Sequence, residues 1–374
     1  MRLTKGRLWF TVTAVLVILA MLLGGCATGG TSAPKIKIGV GAPITGGSAF
    51  DGGMIRDGVM LAVELAKDKV KNVEVVVEDD KSDPKEGAAI ANKFAGDSAI
   101  VGVVGHYNSS VTLAAAPILG KAGIVQISPG SSSPKITGFS DWLFRTQPTD
   151  VTVGENIVKW AIQDGHKKVA VIYEDTDFGK GLEHVYSETW PKDGREIVIK
   201  ESYLSGKTTD FTAILTKVKN SGAQAVLLGC LYNEAALIGK QARQLGLTIP
   251  FYGDTSQYTQ AFIDLGGEAV EGWKVVGAFD PNSSDPGVQT FVKAFKEKFG
   301  KEPNGFAAQA YDAANLILEG IAKNGPDRTK IQQYILNVKD FPGVTGKTTF
   351  VKGDADKQLV WMIVKGGKFV GVGK

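Results

Sequence analysis

At 374 residues the chain exceeds what one small core accommodates, and two domains are the natural expectation. Apolar residues at 43% and charged residues at 22% are ordinary for a globular protein and exclude a disordered or low-complexity chain. The formal charge of +3 comes from Arg2, Lys5 and Arg7; beyond residue 25 there are 39 basic and 39 acidic side chains, so no charge excess points to nucleic acid or an anionic membrane surface.

The N-terminus is the first signal in chain order. MRLTKGR is basic, and LWFTVTAVLVILAMLL is an apolar run of 16 residues, shorter than the roughly 20 that a spanning helix needs. A basic head, an apolar middle and small residues before a cut form the secretory pattern, which assigns residues 1–25 to a signal peptide. Leu23-Gly24-Gly25-Cys26 resembles a bacterial lipobox. The resemblance implies cleavage before Cys26 and lipidation of its thiol, with residues 26–34 as a flexible tether. An uncleaved anchor helix is the alternative. Cys230 is then left as a lone thiol, expected to be buried and inert, with no disulfide framework.

From Lys35 onward, β-branched runs alternate with amphipathic stretches. KIKIGV, MIRDGVMLAVELAKD, VEVVVED, PKEGAAIANKFAGD, IVGVV, VTLAAAPILGKAG and IVQIS read as strand and helix in turn. Such alternation predicts βαβ units and a parallel sheet. DWLFRTQPTD (141–150) reads as a connection containing proline, after which a second series of the same kind runs from VGENIVKWAIQD to IPFYGD. The rest holds one strand, EGWKVVGAF, then helices, then GKTTFVKGDADKQLVWMIVKGGKFVGVGK, two or three strands with tight turns. These pieces fit as returns to the first two units. The expected fold is α/β: two doubly wound parallel-sheet lobes joined by a three-segment hinge. The lobes span 35–149 plus 279–352 and 150–278 plus 353–374.

An open parallel sheet binds ligands beyond the carboxyl ends of its strands. That directs attention to GAPITG, GHYNSS and PGSSSP in the first lobe, and TDFGKG, CLYNE and GDTSQY in the second. In GHYNSS, Gly105 turns the backbone and Asn108, Ser109 and Ser110 stand where a helix begins. Exposed N–H groups there favour an anion, and the hydroxyls of Ser109 and Ser132 add donors. Equally, Ser109 or Ser110 caps the helix, and Ser131 to Ser133 form a turn with Pro134. Both readings stay open at this level. Dinucleotide, P-loop and nucleophile-elbow motifs are absent from the sequence, and its three histidines are not at metal spacing. No catalytic residue, cofactor or metal is expected.

GAPITG, GHYNSS, ISPGSSSPKIT, VAVIYEDTDFGKG and the AYDAANL helix, in that order, resemble the solute-binding proteins of the branched-chain amino-acid type, from about Lys35 to about Val364. The resemblance implies the periplasmic-binding fold of type I and extracytoplasmic delivery of a small molecule to an importer driven by ATP hydrolysis. Ser109 falls at the serine that binds a ligand carboxylate. Gly130 and Ser132 fall at positions that contact an α-ammonium. Asp51 and Phe178 replace aromatic residues, Leu231 replaces a tyrosine for which adjacent Tyr232 can substitute, and Phe306 matches an aromatic of the apolar side. Asp254 is the acidic partner of the ammonium, displaced by one from the aligned Thr255. Implied partners are an amino acid or related carboxylate and the permease and ATPase subunits. Membrane contact is through the lipid anchor alone, nucleic acid is excluded, and a monomer is expected. A receptor of the same fold for an amide, urea or an aromatic acid is the alternative, as is a sensor that signals to a partner.

Overall fold

The computed structural model describes residues 35–373; the expected signal peptide, the lipobox with Cys26 and the tether lie outside them. The first series is β1 (Ile36–Ala42), α1 (Ala49–Leu65), β2 (Val73–Asp79), α2 (Pro84–Gly96), β3 (Ile100–Gly105), α3 (Ser109–Lys121), β4 (Val125–Ser128) and β5 (Leu143–Arg145). These strands are parallel and lie in the order β2-β1-β3-β4-β5. Strands β1 and β3 are buried over most of their length, as expected of a sheet covered by helices on both faces.

The second series repeats the plan: α4 (Asp150–Gln163), β6 (Lys168–Glu174), α5 (Asp177–Thr189), β7 (Glu196–Tyr203), α6 (Thr212–Asn220), β8 (Ala225–Gly229), α7 (Tyr232–Gln244), β9 (Phe251–Gly253), α8 (Gln260–Gly266) and β10 (Lys274–Gly277). Its order is β7-β6-β8-β9-β10, so each lobe carries a topological switch point beside its first strand. Local chemistry starts two of these helices, at Asp150 and Asp177, earlier than the stretches VGENIVKWAIQD and GLEHVYSETWPKDG. Thr149 accepts from Thr152 N–H, and Thr176 from Gly179 N–H, each satisfying a donor that the helix itself leaves free.

The chain then returns. Helices α9 (Pro286–Phe299), α10 (Gly305–Asn324) and α11 (Arg328–Leu336) follow, and Phe291, Phe295 and Ala308 pack with Met54 and Leu61 of α1. Strands β11 (Phe341–Gly343) and β12 (Gly346–Thr348) form a hairpin of their own, while β13 (Phe350–Val351) and β14 (Asp354–Ala355) extend the first sheet. Strands β15 (Val360–Lys365) and β16 (Lys368–Val372) complete the second.

Two details differ from the sequence expectation. The 141–150 segment is more than a connection, because its Leu143 and Phe144 are buried in a strand beside β4. The third crossing comes later than residue 352. Asp354 pairs with Arg145 in the first sheet and accepts from its guanidinium at 2.6 Å, which ties the chain to that sheet as far as residue 355.

Candidate functional site

The carboxyl ends of both sheets face one small chamber. From the first lobe, β3 delivers Tyr107, Asn108 and Ser109, and β4 delivers Gly130 and Ser132. Gln147 comes from the first crossing. From the second lobe come Phe178 after β6, Leu231 after β8, and Thr255 and Ser256 after β9. Phe306, at the start of α10, closes one side. The volume open to a water-sized sphere is about 20 Å³, on the order of one water.

The first-lobe wall is built by close approach. Gly105 sits at φ +147°, and a Cβ there would lie 2.3 Å from the Gly41 carbonyl. At Gly130 a Cβ would come within 2.9 Å of the Tyr107 carbonyl oxygen, so only glycine lets the β4 loop lie on the β3 loop. Asn108 occupies the N-cap of α3 without a side-chain cap bond. The Ser109 hydroxyl is not a cap; it accepts from Ser132 N–H and Ser133 N–H, each at 3.2 Å. One bond network therefore fixes Ser109 and Ser132 together beside the first N–H groups of α3. Within the stretch expected to turn with Pro134, Ser133 caps the short helix at Pro134–Ile136.

Not every expected residue reaches the chamber. Asn108, Ser109, Gly130, Ser132, Phe178, Leu231 and Phe306 come together on its wall; Asp51, Tyr232 and Asp254 do not. Asp51 lies behind Tyr107, accepting from its hydroxyl at 2.9 Å and from Asn304 Nδ2 at 2.8 Å. Burial pushes its carboxyl up to about 7, against the opposing pull of these two bonds. Tyr232 donates to the Gly47 carbonyl at 3.0 Å. Asp254 caps the 255–257 turn through Ser256 N–H in a reciprocal box with Gln257. Burial raises it to about 7.

Four wall residues are not among the residues expected from the sequence, one of them Thr255, which the resemblance named only as the position beside Asp254. Tyr107 lies inside the GHYNSS stretch but its tip is turned to Asp51. Ser256 follows β9 within GDTSQY. Gln147 follows β5, a strand of three residues whose end the sequence pattern does not mark. A larger cleft of about 820 Å³ lies among Leu65, Tyr311, Lys323 and Phe341, away from the strand ends. Its buried acid, Asp312, already accepts from Val344 N–H, Thr345 N–H and the Thr345 hydroxyl.

Behind the chamber sit further buried carboxylates. Asp150, at the first residue of α4, is fully buried with neither oxygen in a well-formed hydrogen bond. Burial pushes it up to about 8, partly offset by the Ser132 hydroxyl and Arg145 and reinforced by Asp254 and Glu174. Glu174 is raised to about 8 for the same dominant reason. Cys230 is buried, and burial pushes its thiol far up, as expected of an inert residue. Among the described residues no group of side chains is arranged to hold a metal ion, and no helix is long and apolar enough to cross a membrane.

Several bonds join the lobes around the chamber. Gln147 Nε2 donates to Thr255 Oγ1 at 2.7 Å, Asp177 N–H to the Ser110 hydroxyl at 3.2 Å, and Lys135 pairs with Asp177 at 2.6 Å. Phe178 and Leu231 of the second lobe pack into the core that contains Tyr107 and Phe306.

The family model described as periplasmic binding protein matches residues 35–367. The chain is 31% identical to a Leu/Ile/Val-binding protein homolog of Brucella abortus, over 88% of this chain and 90% of that one. It is 33% identical to a leucine-, isoleucine-, valine-, threonine- and alanine-binding protein of Pseudomonas aeruginosa, over 90% and 91% of the two chains. Among solved structures, a leucine binding protein of Thermotoga maritima superposes with a TM-score of 0.84 at 30% identity, covering 90% of this chain and 98% of the other. The branched-chain amino-acid transporter binding protein of Streptococcus pneumoniae, in complex with isoleucine, gives 0.84 at 29%, covering 90% and 100%.

Proposed function

We propose, from the premise that this chain belongs to the periplasmic binding protein family, that it receives a small amino acid outside the cell membrane and hands it to an ATP-driven importer. The family and the similar structures are solute-binding proteins rather than enzymes. The observation that carries the reading is the joining of Ser109 and Ser132 at the N-terminus of α3, inside a chamber walled from both lobes.

In this reading the ligand carboxylate rests on the α3 N-terminus, where N–H groups lack intrahelical acceptors, and accepts a hydrogen bond from the Ser109 hydroxyl. The ammonium faces the Gly130 carbonyl and the Ser132 hydroxyl. Phe178, Leu231 and Phe306 surround the side chain. Asp51, Tyr232 and Asp254 act from behind the wall, holding Tyr107, the Gly47 loop and the 255–257 turn. A chamber this small admits its ligand only with the lobes parted. Closure about the three crossings then follows from contacts that both lobes make to the ligand. Cys26, lipidated after removal of residues 1–25, anchors the mature protein, which works as a monomer with a permease and its ATPase.

A thermal-shift panel of amino acids, amides, urea and aromatic acids tests the ligand class. The right compound at 100 times its dissociation constant stabilises the fold by about 2.7 kcal/mol, and Ser109→Ala lowers that response; the variant also melts lower without ligand, because Ser132 N–H and Ser133 N–H lose their acceptor, so the response is read against its own unliganded melting temperature. A response to urea or an aromatic acid alone would reject the amino-acid reading. A second reading, an amide ligand, is favoured by one observation: the chamber wall has no charged side chain among the described residues. Cys26→Ala is expected to release the protein from membranes; attachment that persists would reject the anchor.

A further inference from the structure

Thr255 stands where an acid was expected to meet an ammonium, and Asp254 beside it is turned into a cap outside the wall. Two neutral amide side chains, Asn108 and Gln147, line the chamber instead. Asn108 Oδ1 and Gln147 Oε1 are both buried without a hydrogen-bond donor among the described residues. Gln147 is 1% exposed and sits on the first crossing between lobes, three residues before α4. Its Nε2 is held by Thr255 Oγ1 of the opposite lobe at 2.7 Å. The amide plane is thus fixed from across the chamber while its carbonyl oxygen stays unpaired.

We propose that Gln147 is a specificity-determining residue: its carbonyl oxygen receives the N–H donors of the ligand in place of a wall carboxylate. The inference rests on the proposed function, and names the group that reads the nitrogen end of the ligand. A buried acceptor left without a donor is expensive, so a ligand that lacks the nitrogen leaves Gln147 Oε1 orphaned and is rejected. A ligand with an amine or amide satisfies it, and the Thr255 bond means that this happens only when the lobes are closed. Gln147 therefore couples recognition of the nitrogen to closure.

The test is calorimetric titration of the mature chain with the amino acid that stabilises wild type most, and separately with the same carboxylic acid lacking its amine. Wild type is expected to prefer the amino acid by about tenfold or more. Gln147→Leu lowers the amino-acid affinity about tenfold and leaves the deaminated acid within about twofold; Gln147→Glu restores the preference. Thr255→Val, which removes the bond but keeps the oxygen, gives a smaller loss. Equal losses for both ligands in Gln147→Leu would make the residue a strut between lobes and overturn the assignment, as would no loss at all. A wild type that binds no amino acid or amide rejects the parent reading, and the inference with it; binding by wild type that Gln147→Leu leaves unaltered rejects the inference alone.

Discussion

Ser109 and Asp150 show what neighbours do to single side chains at this site. Ser109 accepts two backbone N–H groups from the β4 loop, which leaves its own proton free to donate. Asp150 is the opposite case, a fully buried carboxyl pushed up to about 8 chiefly by burial. The native protein therefore holds a proton there that the unfolded chain, with a pKa near 4, gives up. Between about pH 4 and pH 8 the unfolded state binds fewer protons, so this group lowers stability as pH rises. Asp150→Asn removes that dependence. Its melting temperature in the absence of ligand is expected to gain on wild type steadily from pH 5 to pH 8, measured by calorimetric scanning. A difference that stays constant with pH would show that Asp150 does not hold this proton.

At the scale of elements, the loop carrying Ser132 is held by one buried residue of β5. Arg145 donates from Nη1 to the Ser133 carbonyl at 2.8 Å, from Nη2 to Thr137 Oγ1 at 2.7 Å, and from Nε to Asp354 at 2.6 Å. It joins the β4 loop, its own strand and the third crossing. Arg145→Met strips three acceptors of this donor and leaves the Asp354 carboxylate with the Thr137 hydroxyl but no cation, with an expected loss of about 3 kcal/mol or more. Urea unfolding reads this as a lower midpoint at unchanged slope; a loss within 0.5 kcal/mol, the usual range for surface changes, would mean water replaces the guanidinium without penalty. The sequence showed the βαβ order because strand and helix periods are local properties. It missed β5, three residues long, because so short a run carries no period. With β5 went Gln147, although GHYNSS, PGSSSP and the β8 loop were found by position after their strands.

For the molecule as a whole, the repeat of one sheet order in two lobes was written in the chain: the same alternation occurs twice, and the surplus strands and helices at the end have nowhere to pack except back on the first two units. The motif order likewise made the family recognisable, and the first-lobe wall with it. What the sequence by itself determined was thus the pair of α/β lobes, the strand ends that line the chamber, and the serines at the start of α3. Only the tertiary structure decided which of those residues meet. Gln147 and Thr255 are 108 positions apart, and no local pattern links them. Asp51 and Asp254 are turned away from the chamber by Tyr107, Asn304, Ser256 and Gln257, partners that each side chain acquires on folding. Periodicity is encoded between near neighbours along the chain. The direction in which a buried polar group points is set by whichever donors the finished packing brings to it.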